Sequence, residues 1–182
     1  MLLKAGADPN QGNNDEQTPL MIAARIGSLP LVQTLVKAGA RVNERERYRG
    51  QTALMWAVAS RSVDVVDFLI RQKADVDARA TINDWGNQIT SEPRAQYRPA
   101  GGLTALLYAT RSGCLECAKL LVKGGADINR PTPEGVTPLM NAIDNNSYEI
   151  ANYLLDQGAN PHLSDWWGRT ALYLAADMRT RG

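Results

Sequence analysis

One phenylalanine, one histidine and two cysteines in 182 residues leave little from which redox, metal or nucleophilic chemistry can be built. A zinc site needs about four ligands at short spacing, and His162 has no second histidine to join it. Cys114-Leu115-Glu116-Cys117 matches C-x-x-C at an expected helix start, where a thiolate is stabilised. Yet Cys117 stands where another segment places Val65, which reads as core rather than as a redox or metal motif. Two cysteines used in this way suit a reducing compartment. Charge of one sign is equally scarce: 20 Lys and Arg against 19 Asp and Glu give a net charge of +1, so no global field draws in nucleic acid or an anionic membrane.

Long apolar runs are missing too. No stretch of about 18 apolar residues occurs, and Met1 to Gly6 lacks a basic region, a long apolar segment and a cleavage site. Neither membrane insertion nor export is marked, so the expected location is cytoplasmic, with an export signal outside this stretch left open. Gly-rich phosphate loops and G-x-S-x-G are absent, so the expected catalytic, cofactor and metal sets are empty and no enzyme is expected. Asp144 and Asp177 do recur at one spacing, but on helix layers about 8 to 10 Å apart they are too distant for a retaining glycosidase pair, and acidic groove lining is the better account.

What the chain has instead is repetition. From Gly102 to Asn129, Thr104 precedes the apolar run Ala105 to Ala109 and reads as a helix N-cap. Gly113 ends that helix. A second helix over Leu115 to Lys123 places Cys117, Leu120 and Leu121 on one face and stops at Gly124 and Gly125. Helices this short are marginal alone and must lean on neighbours. The neighbours are visible as a period: Gly6 and Gly39, like Gly125 and Gly158, lie 33 positions apart, and so do Thr104, Thr137 and Thr170, while Thr18 and Thr52 are 34 apart.

This period, with Thr18-Pro19-Leu20 and Thr137-Pro138-Leu139 and with Thr-Ala-Leu at Thr52, Thr104 and Thr170, resembles the ankyrin repeat. The resemblance implies an all-α solenoid of stacked helix-turn-helix units with β-turn fingers, and a concave face made by fingers and first helices. The expected units form a single domain: a partial repeat at 1–10, repeats at 11–43, 44–77, 78–129 and 130–162, and a partial repeat at 163–182. Where the family usually has a histidine after T-P-L, this chain has Met21, Met55, Leu107, Met140 and Tyr173. That apolar row reads as packing between repeats rather than as a cofactor box. Leu106 and Leu139 occupy equivalent core slots. Arg61, Lys73 and Asn146 stand where other units place a helix-ending glycine; if the left-handed backbone is kept there, Arg and Lys cost something that glycine would not, while Asn tolerates it.

One finger departs from the pattern. Asp77 to Thr104 spans 27 positions where Asn129 to Thr137 spans 8, so it carries 19 extra residues, with an insertion near 80–100. Thr81 to Asn83 and Gln88 to Thr90 are expected to pair as a short hairpin around Asp84-Trp85-Gly86-Asn87, followed by an extended stretch over Glu92 to Pro99. Trp, Tyr and Arg dominate binding at protein interfaces, and Trp85, Arg94, Tyr97 and Arg98 all fall here. Either they meet a partner or Trp85 and Tyr97 fold back over the helices. Tyr48 and Arg49 on an earlier finger, Trp166 and Trp167 on the last, and Arg25, Arg111 and Asp144 on first helices complete the candidate set.

Another protein is the expected partner. Single-stranded nucleic acid is the alternative, with Trp85 and Tyr97 stacking bases, and it is weakened by the alternation of Arg25 and Arg111 with Asp144 and Asp177. A structural spacer within a larger protein is a third reading. Leu2, Leu3, Leu172, Tyr173 and Leu174 belong to units without a polar outer cap, so an array continued in a longer chain, or ends covered by self-association, is expected.

Overall fold

The computed structural model describes residues 2–83 and 100–178. A 3-10 turn over Leu3–Ala5 is followed by helix pairs α1 (Pro19–Ile26) and α2 (Leu29–Lys37), then α3 (Ala53–Ala59) and α4 (Val63–Arg71). Two short strands, β1 (Ile82–Asn83) and β2 (Ala100–Gly101), precede α5 (Ala105–Ser112) and α6 (Leu115–Lys123). The pair α7 (Pro138–Asp144) and α8 (Tyr148–Asp156) and the helix α9 (Ala171–Met178) complete the order. First helices stack α1 on α3 on α5 on α7 on α9, and second helices stack α2 on α4 on α6 on α8. The fold is an all-α repeat solenoid, as the period predicts.

Each first helix starts at its threonine for a local reason. The hydroxyls of Thr18, Thr52, Thr104, Thr137 and Thr170 accept from the backbone N–H three residues on, at 3.2 to 3.4 Å. Such a cap contributes about 1 kcal/mol, which matters in helices of two turns. Leu20, Met21, Leu54, Met55, Leu106, Leu107, Leu139 and Met140 follow the caps and are no more than 1% exposed. The methionine row is therefore core, except that Tyr173 at its end is 56% exposed.

The second helices begin at Ser28, Ser62, Cys114 and Ser147, and among these only Cys114 caps with its side chain, its Sγ accepting from Cys117 N at 3.3 Å. Cys114 and Cys117 are both buried and are joined as a disulfide, with Cα atoms 5.2 Å apart. Cys117 sits in the core as expected. The pair does not supply the two reduced thiols from which a reducing compartment was inferred.

Between repeats, side chains replace the pairing that a sheet would provide. Asn10 accepts from Arg41 N and donates to Gly39 O, and Asn43 accepts from Asp75 N and donates to Lys73 O. Asp77 and Asn129 accept from Asp127 N and Asn160 N in the same register. His162 occupies this slot in the last unit, so its position is that of a turn residue.

The fingers form a second ladder. Arg47 N donates to Asp15 O, Thr81 N to Arg49 O and Trp166 N to Glu134 O, each reaching the preceding finger. The corresponding position in the fourth finger is Pro133, which has no N–H to give. Arg79 substitutes: its guanidinium donates to Pro131 O at 2.8 Å and to Gly102 O at 3.4 Å. Burial disfavours its charged form and lowers its pKa, with repulsion from Arg130 adding to the effect.

At its root every finger closes with the same backbone bond. Asn13 N donates to Gln17 O, Glu46 N to Gln51 O, Thr132 N to Val136 O and Asp165 N to Arg169 O. In the third finger Ala80 N donates to Leu103 O, so partners elsewhere 4 or 5 positions apart are here 23 apart and the bond survives. Ile82 then pairs with Gly101 and Asn83 with Ala100. The expected partner of β1, Gln88 to Thr90, is thus replaced by Ala100–Gly101, because the root bond fixes the antiparallel register from below. Gln88 to Thr90 lies outside the described residues.

This geometry gives a direct expectation. Since Asn83 faces Ala100, replacing residues 84–99 by a two-residue Asn-Gly turn closes a short hairpin. The variant should keep its far-UV circular dichroism and a melting midpoint equal to or above that of the parent. A collapse of either would show that the replaced residues hold the stack together.

Arg61, Lys73 and Asn146 adopt φ of 58°, 63° and 56°, so the left-handed conformation of the glycine slot is kept at all three. A Cβ costs about 1 to 2 kcal/mol there, partly offset by the chain entropy that glycine loses on folding. Arg61→Gly and Lys73→Gly should each stabilise the chain by roughly 0.5 to 1 kcal/mol in urea titrations. Asn146 tolerates this backbone best, and its exchange should gain least.

Candidate functional site

Side chains four and seven positions after the capping threonines form two columns along the first helices, of which Arg25, Trp56 and Ala59 line a cleft. The first column brings Trp56 and Tyr108 to the middle layers, and the second carries Arg25, Ala59, Arg111, Asp144 and Asp177. The Arg25 guanidinium lies over the Trp56 ring, 5.0 Å from its centroid, and that of Arg111 lies 4.9 Å over Tyr108. Gln51, which lines the same cleft as Arg25 and Trp56, donates from Nε2 to the Tyr108 hydroxyl. A continuous strip results: Arg25, Trp56, Gln51, Tyr108, Arg111.

Above the start of this strip stands the second finger. Glu46 is only 4% exposed, and its carboxylate accepts from the backbone N–H of Tyr48, Arg49 and Gln51 at 2.7 to 3.0 Å. That fan of bonds turns the finger so that Tyr48 and Arg49 overhang the helices, with Tyr48 66% exposed. The cleft beneath has a volume of about 500 Å³ and is lined by Gln17, Arg25, Tyr48, Arg49, Trp56 and Ser60, with Glu46 in its wall. Trp56 Nε1 is buried and finds no hydrogen-bond partner among the described residues.

The last finger repeats the device. The Asp165 carboxylate accepts from the N–H of Trp167 and Arg169, and from Arg169 Nε at 2.8 Å. Trp166 and Trp167 are 55% and 47% exposed, and Arg169 lies over the Trp167 ring. A hollow of about 400 Å³ opens between Trp167, Gly168, Arg169 and Tyr173.

The structure thus joins Arg25, Tyr48 and Arg49 in one cleft, sets Arg111 one layer further along the same strip, and leaves Asp144 exposed at the end of α7. Trp166 and Trp167 form a separate finger tip. Trp85, Arg94, Tyr97 and Arg98 lie outside the described residues. Sequence reasoning missed Trp56, Gln51 and Tyr108 as groove residues. The signal was available, since Trp56 and Tyr108 share one offset from their capping threonines.

The family model of ankyrin repeats matches residues 1–80, 87–165 and 133–181 as three copies. The chain belongs to the ankyrin repeat family. Among curated relatives of this ankyrin repeat chain, the mouse B-cell lymphoma 3 protein homolog is 34% identical over 166 residues, which are 90% of this chain and 33% of that protein. Rat ankyrin repeat and SAM domain-containing protein 6 is 33% identical over 168 residues, covering 91% of this chain and 17% of its own length. The putative ankyrin repeat protein FPV031 of fowlpox virus is 34% identical over 161 residues, 85% of this chain and 42% of the viral protein. The chain spans less than half the length of each. No helix among the described residues is long and apolar enough to cross a membrane.

Proposed function

We propose that this ankyrin repeat chain is a protein-binding module that receives another protein across its first-helix groove and finger tips. The observation that carries the reading is the cleft under the second finger, where exposed tyrosine and arginine side chains overhang a tryptophan on a fixed wall. Aromatic and arginine groups supply large desolvatable area with polar ends, which is what interface anchors require. The rigid repeat stack holds them in place before a partner arrives, so little ordering cost remains. Trp166 and Trp167, and in the inserted finger Trp85, Arg94, Tyr97 and Arg98, extend the same surface in this reading.

The test is capture of cellular proteins by the parent chain and by a triple variant, Arg25→Ala, Trp56→Ala and Arg111→Ala, with matched circular dichroism. Species retained by the parent and lost by the triple variant support the groove. Equal recovery by both would reject it. Single-stranded nucleic acid is the less favoured ligand, because one face of each central aromatic is occupied by a guanidinium.

A further inference from the structure

The cleft under the second finger also bears on the chemistry of what enters it. Four arginines lie on or beside that finger, and three are engaged within the fold. Arg41 pairs with Glu44, Arg47 with Glu16, and Arg45 donates to Arg79 O. Arg49 is different. Among the described residues its guanidinium meets no carboxylate or carbonyl, and it lines the cleft together with Arg25, whose contact there is the Trp56 ring. Arg111, at the far end of the strip, likewise has a ring beneath it.

The acid in the cleft wall does not use these cations. Both Glu46 oxygens are occupied by backbone N–H groups, and the side chain is withdrawn from solvent. Two guanidiniums therefore share the cleft with one carboxylate whose oxygens already accept three backbone N–H bonds. A cation–π contact at a solvent-facing site contributes about 0.5 to 1 kcal/mol, enough to set the arginine's pose and too little to retain it against a carboxylate.

We infer that this cleft recognises a carboxylate side chain of a partner protein, an Asp or Glu in an extended segment flanked by an apolar residue. The acid bridges Arg25 and Arg49 while the apolar neighbour packs against Tyr48 and the uncovered part of Trp56. This inference rests on the protein-binding reading and names the partner's chemistry at its centre. A nucleic-acid strand fits less well, since the groove column turns from Arg25 and Arg111 to Asp144 and Asp177, whereas a phosphate track stays basic along its length.

The experiment is selection of a displayed library of random twelve-residue peptides against the intact chain, followed by anisotropy titration of the enriched peptides as labelled synthetic probes. The expected consensus contains an acid beside an apolar residue. Its affinity should fall about tenfold or more on Arg25→Gln or Arg49→Gln, about as much on Asp→Asn or Glu→Gln in the peptide, and not on Lys123→Gln in the second-helix layer. Added salt should weaken it. Peptides that need Trp56 and Tyr48 but show no acid preference would overturn the carboxylate inference while leaving the groove as a protein-binding site. Failure to enrich any groove-dependent peptide would overturn the inference and count against the groove as well. An oligonucleotide that displaces the probe, with affinity falling steeply as salt rises, would replace both by a nucleic-acid reading.

Discussion

Leu106→Ala and Leu139→Ala should each cost the chain about 2 to 5 kcal/mol of unfolding free energy. Both side chains are 1% exposed, both sit just behind a capping threonine, and each is enclosed by first helices on either side. Removal leaves a cavity whose walls belong to three repeats, and short capped helices cannot close over it independently. Urea titration with matched slopes is the measurement, since the slope reports whether the array still unfolds as one unit. Near-neutral results for both would mean that the buried faces of α5 and α7 are assigned wrongly. The loss should be similar at the two positions because their surroundings repeat. Leu172→Ala, at a side chain 77% exposed on α9, should fall within surface scatter.

Glu46→Ala is expected to be the most damaging change outside the leucine layer, at about 2 to 4 kcal/mol. It strips the acceptor from three partly shielded backbone N–H groups and removes a side chain that is withdrawn from solvent. Glu46→Gln should recover part of the loss, because the amide oxygen can still accept while its NH2 meets donors where an acceptor is needed. The loss should reach beyond stability. Tyr48 and Arg49 take their positions from these bonds, so the alanine variant should also lose binding at the cleft. Amide exchange is the discriminating readout: the N–H groups of Tyr48, Arg49 and Gln51 should lose protection more than those of α3. Equal loss in both would place the carboxylate's role in the whole repeat rather than in the finger.

The solenoid was legible because its determinants are local and repeated. Each threonine cap, glycine stop and apolar face names its own element, and agreement among five copies removes the ambiguity that one copy would carry. Arg61, Lys73 and Asn146 could be read from the slot alone, because the left-handed turn belongs to the repeat and not to the side chain occupying it. The groove was harder. Arg25 and Arg111 stood out by charge, whereas Trp56 and Tyr108 look like core residues; Tyr108 is indeed buried and meets the groove through its hydroxyl and the guanidinium over its ring, and Trp56 is only partly covered. The role of Glu46 was invisible for another reason: alternating charge around it reads as a solvated turn, and only folding shows that one of those acids is inside. Asp165 makes the same use of a carboxylate, and the two stand at equivalent finger positions. A comparison of those slots would have singled them out. The strand pairing also depended on distance, since Ala100 and Gly101 are brought to Ile82 by a root bond that no neighbouring residues announce.

The retained bond between Ala80 and Leu103 makes the third finger a splice port. The helix stack, the side-chain ladder between repeats, the root bond and the short pairing just above it hold the register up to Asn83 and Ala100, so sequence added beyond those two residues is expected to leave the helices in place. The entropy of closing a loop rises only as the logarithm of its length, and going from 4 to 23 positions costs about 1.5 kcal/mol. Each further doubling adds only about 0.6 kcal/mol, less than one threonine cap contributes. A repeat array with such a port can acquire, exchange or discard a recognition segment in one step, and its stability is decided elsewhere.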